Sequence, residues 1–317
     1  MRSAFHCAAD TTMALEDDLL TESRNPHSES IDTLTALEFV RLMNSEDRKV
    51  VAAVEAEAEP IALAIEWAAE RLERGGRLVY VGAGTSGRLG VLDAAECPPT
   101  FSTPPRMVVG LIAGGAPALT RAVEGAEDDP DSGAADITAL NVNTNDLVIG
   151  IATSGRTPFV LGAMEEARRR GAATIGIACN RPSLIGKAVD LEIAPLVGPE
   201  IISGSTRLKG GTATKMILNM ISTGAMVRIG KTLGNWMVDL HPSNEKLRIR
   251  SRRILRELVG LDDDRAAQIL ASCGGHLKRA LVVALTAIEP DAAQVLLDAH
   301  HGRVRAAVKA AGGRDLP

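Results

Sequence analysis

Five short apolar runs, at residues 78–81, 107–113, 147–153, 174–178 and 191–196, constrain this chain more than any other feature in it. Polar residues scarcely interrupt them, and stretches with helical spacing lie between most of them, including 118–125, 157–170 and 211–229. A strand that is apolar on both faces must be covered on both faces, and strands alternating with helices run in one direction. The pattern predicts an α/β sandwich: a mostly parallel sheet between two layers of helices. Ligands of such sheets bind beyond the carboxyl ends of the strands, so the segments that follow the runs carry the functional argument.

On either side of this block the character changes. Residues 1–20 read as a flexible tail, with no basic start followed by an apolar run of the signal-peptide kind. Residues 21–32 are polar and contain Asn25-Pro26, an extended or turning arm. Two helical patterns follow at 34–44 and 47–74, the second carrying Val51, Val54, Ile61, Ala64, Ile65 and Ala68 at helical spacing and stopping at Gly75-Gly76. From about Ser251 the chain becomes alanine- and leucine-rich, with short helices expected at 254–259, 265–273, 277–285, 292–300 and 304–311. The expected division is a catalytic domain over 21–250 and a small all-helical bundle over 251–317.

Composition removes several classes of function. A formal charge of −5 gives no support for binding nucleic acid or a membrane surface. No apolar stretch approaches a membrane span, since Asn219, Ser222 and Thr223 interrupt the longest. The four cysteines, Cys7, Cys97, Cys179 and Cys273, lie far apart with no partner at metal-ligand spacing; they read as reduced thiols of a cytoplasmic protein, and no metal is expected. Aromatic residues make up 2% of the chain, so a sugar would be held by hydrogen bonds more than by stacking.

The tetrapeptide Thr-Ser-Gly-Arg occurs at Thr85-Ser86-Gly87-Arg88 and again at Thr153-Ser154-Gly155-Arg156, each time between an apolar run and a helical stretch. A related segment, Ser203-Gly204-Ser205-Thr206-Arg207, precedes the helix expected near Gly211. Hydroxyl-rich, glycine-containing turns at helix starts present backbone N–H groups and side-chain donors to an anion. Ser86, Ser154, Thr157, Ser203 and Ser205 could each be a simple helix cap. Their recurrence at successive strand ends favours convergence on one phosphorylated ligand. Arg88 and Arg156 read as surface or packing partners, and Lys209 as the better candidate for a ligand-facing charge. Gly82-Ala83-Gly84-Thr85-Ser86-Gly87 also fits a dinucleotide fingerprint, but the next strand ends in Ile112-Ala113-Gly114-Gly115 without the carboxylate that a ribose needs. No Gly-Lys-Ser/Thr completes a nucleotide P-loop.

Two glutamates are candidates for proton transfer. Glu96 stands in Asp93-Ala94-Ala95-Glu96-Cys97-Pro98-Pro99, where Pro98 is expected to force a helix exit. Glu127 stands in Glu124-Gly125-Ala126-Glu127-Asp128-Asp129, after the helix expected at 118–123, where Gly125 is expected to fix the backbone direction. A solvated carboxylate at a helix end is the bland alternative for both. His241 reads as structural, and the adjacent His300 and His301 cannot share a helix face.

Taken together, the strings GAGTSGRLGVLDAAECPP (82–99), VEGAED (123–128), ATSGRTPF (152–159), SGSTRLKGGTATK (203–215) and Asn244-Glu245-Lys246, with TESRNP (21–26), resemble the N-acetylmuramic acid 6-phosphate etherases from about Leu20 to the end. The resemblance implies a sugar isomerase (SIS) type fold with a five-stranded parallel sheet, a C-terminal bundle of the ubiquitin-associated type, a homodimer and no cofactor. It implies a cytoplasmic enzyme of peptidoglycan and amino-sugar recycling that removes D-lactate by elimination and adds water. The implied catalytic residues are Glu96 and Glu127. The hydroxyl loops around Thr85, Ser86, Gly87, Ser154, Thr157, Ser203 and Ser205 would hold the 6-phosphate, and Glu124 a sugar hydroxyl. The alternatives are a non-catalytic sugar-phosphate sensor resembling glucokinase regulatory proteins, which carry two such sheet domains, and a phosphosugar isomerase on the same fold. SIS-type transcription regulators usually carry an N-terminal DNA-binding helix-turn-helix, and the arm here, with Glu16, Asp17, Asp18, Glu22 and Glu29, is too acidic for one.

Overall fold

The computed structural model of the protein describes residues 19–239 and 245–313. All but the last two residues of the expected tail lie outside this range, as do His241 and Asn244. The chain divides into two compact units. Among the described residues, 19–95 with Arg106–Ile221 form the first, and Glu96–Pro105 with 222–239 and 245–313 form the second.

The first unit begins with the arm at residues 21–28 and two helices, α1 (Ala36–Glu55) and α2 (Ala58–Glu73). Thr35 opens α1 in a capping box: its Oγ1 accepts from Glu38 N–H at 3.3 Å and Glu38 Oε2 accepts from Thr35 N–H at 2.8 Å. The break between α1 and α2 at residues 56–57 differs from the expected helix starts. Its cause is tertiary: buried Glu57 leaves the helix to accept hydrogen bonds from Ala194 N–H at 3.0 Å and Arg181 at 3.2 Å.

Strands β1 (Leu78–Gly82), β2 (Val108–Ile112), β3 (Leu147–Ile151), β4 (Ala173–Ile177) and β5 (Leu191–Ile193) form the five-stranded sheet, in the order β2-β1-β3-β4-β5, with every pairing parallel. Between them lie α3 (Gly84–Phe101), α4 (Pro130–Ala139), α5 (Pro158–Arg169) and α6 (Leu184–Ala188), and α7 (Lys209–Arg228) follows β5. One face of the sheet presents Val79, Val81 and Val148 to Phe159, Val160, Ala163 and Met164 of α5. On the other, a Cβ at Gly90 of α3 would lie 2.9 Å from Tyr80 Cβ. Both central strands are buried along their whole length, which is why they read as unbroken apolar runs.

Three elements depart from expectation. No α-helix spans 118–125; a 3-10 turn at Ala116–Leu119 and another at Ala126–Asp128 stand there instead. Helix α4 was invisible because Gly133 and its alanines carry little periodic signal. Gly133 and Gly162 have no Cβ because α4 and α5 meet there backbone to backbone, at Phe159 O and Pro130 O. Finally, α3 does not end at Glu96 but runs through Pro98 and Pro99 to Phe101. The two prolines withdraw only two N–H donors, and Cys97 and Phe101, four residues apart on one face of the last turn, are both buried.

The second unit contains the ribbon β6 (Thr232–Leu233) and β7 (Trp236–Met237) with helices α8 (Glu245–Val259), α9 (Asp263–Ser272), α10 (Leu277–Thr286), α11 (Pro290–Ala299) and α12 (Val304–Ala310). Leu233, Val238, Leu255, Leu281, Val282 and Val304 share its core, so it starts well before residue 251. Among the described residues, no single helix is long and apolar enough to cross a membrane.

Candidate functional site

The first hydroxyl loop is built by close backbone approach. Gly84, at φ +51°, turns the chain out of β1 into α3. A Cβ at Gly87 would lie 2.6 Å from Gly82 O, and one at Gly82 2.6 Å from Gly87 N, so the first turn of α3 rests directly on the strand end. Gly87 N–H already donates to Ala83 O at 3.1 Å, so only the N–H groups ahead of it in that turn lack a helical carbonyl and could meet an anion. Thr85 is half-buried. Ser86 is buried, and its Oγ lies 3.3 Å from Thr153 Oγ1, across to the second loop.

The second copy of the tetrapeptide folds differently. Thr153-Ser154-Gly155-Arg156 is a turn ahead of α5, where Pro158 at the first helical position fixes the start. Gly155 takes φ +80° and donates to Ala152 O at 2.7 Å; Ser154 Oγ accepts from Arg156 N–H at 3.4 Å. Thr157 stands at the N-cap of α5 but its hydroxyl makes no capping bond, leaving it available to a ligand. The residue sequence reasoning missed here is Asn180. Its Nδ2 donates to Thr153 O and Ser154 O, both at 3.2 Å, and holds the loop from below.

The third loop leads into α7. Ser203 is exposed and Ser205 half-buried, around Gly204 at φ +73°. The N-terminus of α7 is already capped by the chain itself: Glu200, 1% exposed, accepts from Lys209 N–H at 3.0 Å and Gly210 N–H at 2.9 Å. Burial pushes the Glu200 carboxyl above the usual range against the pull of those N–H groups. Lys209 does not face a ligand. It is buried, and its Nζ donates to Glu46 Oε2 at 2.8 Å, because a lysine can be taken out of water only against a counter-charge. Glu46 also accepts from Lys49 at 2.6 Å and Asn25 at 2.9 Å; burial opposes its ionisation, but these donors hold its pKa down at about 2.

The first two loops meet the first turn of α7, while the Ser203 hydroxyl of the third loop donates to Ser23 O of the arm at 3.5 Å. A Cβ at Gly210 would lie 2.6 Å from Thr153 Cγ2 and one at Gly211 3.5 Å from Thr85 Cγ2, while Ser86 and Thr153 are already in contact. Thr85, Ser86, Thr153 and the start of α7 therefore come together at one end of the sheet. The strand next to the first loop ends at Ile112 and continues as Ala113-Gly114-Gly115, with no carboxylate for a ribose.

Glu124 and Glu127 are both exposed on the segment after β2. Glu127 sits in the 3-10 turn entered through Gly125 at φ +72°. Arg88 braces this segment, donating to Leu119 O at 3.2 Å and Arg121 O at 3.3 Å, a packing partner and not a phosphate ligand. Glu96 is exposed on α3 between buried Asp93 and Cys97. Asp93 anchors that helix: Tyr80 Oη donates to its Oδ2 at 2.9 Å and Asn219 Nδ2 to its Oδ1 at 2.6 Å. Among the described residues no cluster of three or more His, Cys, Asp or Glu could hold a metal ion.

The model for the glucokinase regulatory protein N-terminal SIS domain matches residues 60–168, and the SIS domain model matches residues 127–223. An N-acetylmuramic acid 6-phosphate etherase of Rhodopirellula baltica is 55% identical over 92% of this chain and 97% of its own. Etherases of the same name from Trichormus variabilis and Streptomyces avermitilis are 54% and 51% identical, over 92% and 93% of this chain and 94% and 95% of theirs. A phosphoheptose isomerase structure from Neisseria gonorrhoeae is 20% identical over 60% of this chain and 98% of its own, with a TM-score of 0.47.

Proposed function

Because this chain belongs to the N-acetylmuramic acid 6-phosphate etherase family, we propose that it cleaves the D-lactyl ether of N-acetylmuramic acid 6-phosphate with water, giving N-acetylglucosamine 6-phosphate and D-lactate. The observation that supports the reading is the meeting of Thr85, Ser86, Thr153 and the first turn of α7 at one end of the sheet, where we place the phosphate ester. Thr85, Ser86, Gly87, Ser154, Thr157, Ser203 and Ser205 are the proposed phosphate anchors, and Glu124 the partner of a sugar hydroxyl.

An alkyl ether at C3 is a poor leaving group for direct displacement. In the open-chain aldehyde the C2 proton lies α to a carbonyl and can be removed. Lactate then leaves from C3 by β-elimination, and water adds across the resulting double bond, restoring the proton at C2 and placing a hydroxyl at C3. The sequence needs a carboxylic acid to protonate lactate as it leaves and a carboxylate to accept protons from carbon and water. We assign the acid, and the base for returning water, to Glu96, and removal of the C2 proton to Glu127. Cys179 is unsuited to act as a nucleophile: burial, reinforced by the Glu200 charge, pushes its thiol up to about 12.

The proposed assembly is a cytoplasmic homodimer. It is supported by an apolar groove on the first unit, lined by Val51, Val54, Ile61, Ile65, Met216 and Met220 from α1, α2 and α7. Val51 is 58% exposed there, a cost that a second subunit would remove.

The test is incubation with N-acetylmuramic acid 6-phosphate in ¹⁸O-water, with D-lactate and the sugar analysed by mass spectrometry. The expected result is stoichiometric lactate with the heavy oxygen at C3 of the sugar. Binding without lactate would identify a sensor instead, and lactate without label at C3 would sink the elimination–addition route. Glu96→Gln should lower turnover by at least about a thousandfold with phosphosugar affinity kept within a few fold, since removing an acid–base group acts on the barrier.

A further inference from the structure

We propose that Asn180 is a positioning residue for phosphosugar binding, which closes residues 21–23 of the arm as a strap over the second and third hydroxyl loops. This rests on the reading of those loops as the phosphate receptor.

Asn180 follows β4 and is 2% exposed. Its amide group is committed on every side. Nδ2 donates to Thr153 O and Ser154 O at 3.2 Å and to Thr21 Oγ1 at 3.0 Å, while Oδ1 accepts from Thr21 N–H at 3.2 Å. Thr21 is 1% exposed, and its own carbonyl accepts from Gly204 N–H at 3.2 Å, in the third loop. One asparagine thus ties the arm to the second loop, and Thr21 carries the tie on to the third. A second pin lies further along, where Asn25 Nδ2 donates to Glu46 Oε2 at 2.9 Å and to Pro199 O at 3.1 Å. Between the pins Glu22 and Arg24 are exposed.

The consequence for binding follows from geometry. The carbonyls of Thr153 and Ser154 belong to the two peptide planes that flank the Ser154 hydroxyl, so the Asn180 amide fixes how that hydroxyl is presented. Without the Asn180 amide, Ser154 O loses a donor, and the loop can rotate away from the geometry a phosphate needs. Coupling between strap and loops is also reciprocal: a ligand that orders the loops must hold the strap closed by the same factor.

The exposed Arg24 reports on the strap, since trypsin cuts there only when the arm lifts. With the full chain and N-acetylglucosamine 6-phosphate as probe, saturating ligand should slow cleavage after Arg24 by about tenfold or more. Asn180→Ala should speed that cleavage and weaken the probe's affinity by about tenfold, raising KM with kcat within a few fold of wild type. Thr21→Val, which removes one acceptor, should shift both in the same direction by a smaller factor. If Asn180→Ala lifts the strap yet binds the probe within twofold of wild type, Asn180 is only structural and the proposal fails. Should that variant not fold, absence of ligand protection at Arg24 in the wild type overturns the proposal equally. A wild type that binds the probe with protection but releases no lactate leaves the strap standing and refutes the reaction. One that does not bind the probe refutes both.

Discussion

Glu46 keeps its charge at 2% exposure because two ammonium groups and an amide surround it, with His27 Nδ1 also 3.1 Å from its Oε1. Its pKa of about 2 lies below the ordinary 4.5, so its ionised form is bound more tightly in the folded chain than in the unfolded one. The stability this supplies is present above pH 4.5 and is lost as pH falls toward 2, roughly 3 kcal/mol in all. Glu46→Gln is expected to flatten the pH dependence of stability across that window, as measured by urea denaturation. At pH 7 it should cost about 3–5 kcal/mol by leaving Lys209 buried without its counter-charge. Lys209 also marks a limit of reading residues from sequence. Its place beside a hydroxyl loop suggested a ligand, whereas the direction of its side chain depends on Glu46, distant in sequence on another helix. Arg88 was legible as a packing partner, and the structure gives it two backbone carbonyls to hold.

Among the elements, the strands were the most legible and the glycine-rich contacts the least. All five strands appear where continuous apolar runs predicted them, because burial on both faces leaves no room for a polar alternation. The Gly-x-Gly-x-x-Gly segment was ambiguous for a physical reason. Its first and last glycines serve strand–helix contact, which any phosphate-binding turn of this type needs, with or without a dinucleotide. Gly87→Ala would push a methyl group into Gly82 O and Ile112 Cγ1, both 2.6 Å away. The expected cost is about 1–3 kcal/mol in chemical denaturation, with phosphosugar affinity falling as the first turn of α3 is displaced. Helix α4 was hidden by the same economy, since Gly133 looks like a breaker until its backbone is found against α5. The continuation of α3 past Pro98 was hidden too, because local proline rules were outweighed by the burial of Cys97 and Phe101.

At the scale of the molecule, the apolar groove of α1, α2 and α7 is the feature that a lone chain leaves unexplained. Placing a charge at its centre with Val51→Glu and Met220→Glu is expected to give a monomer in sedimentation equilibrium, with the circular dichroism of the fold retained. A wild type that is monomeric at micromolar concentration would remove the dimer from the account. The sequence by itself determined the parallel sheet, the run of hydroxyl loops at its carboxyl end, the helical character of the C-terminal part and the family. These are local or periodic properties, written in neighbouring residues. Only the tertiary structure decided that Thr85, Ser86, Thr153 and the start of α7 meet at one point. It alone turned Lys209 inward, and it joined Thr21 to Asn180 across 159 positions of sequence. Such pairings are set by the packing of whole elements, and no short stretch of chain encodes the direction in which a side chain will find its partner.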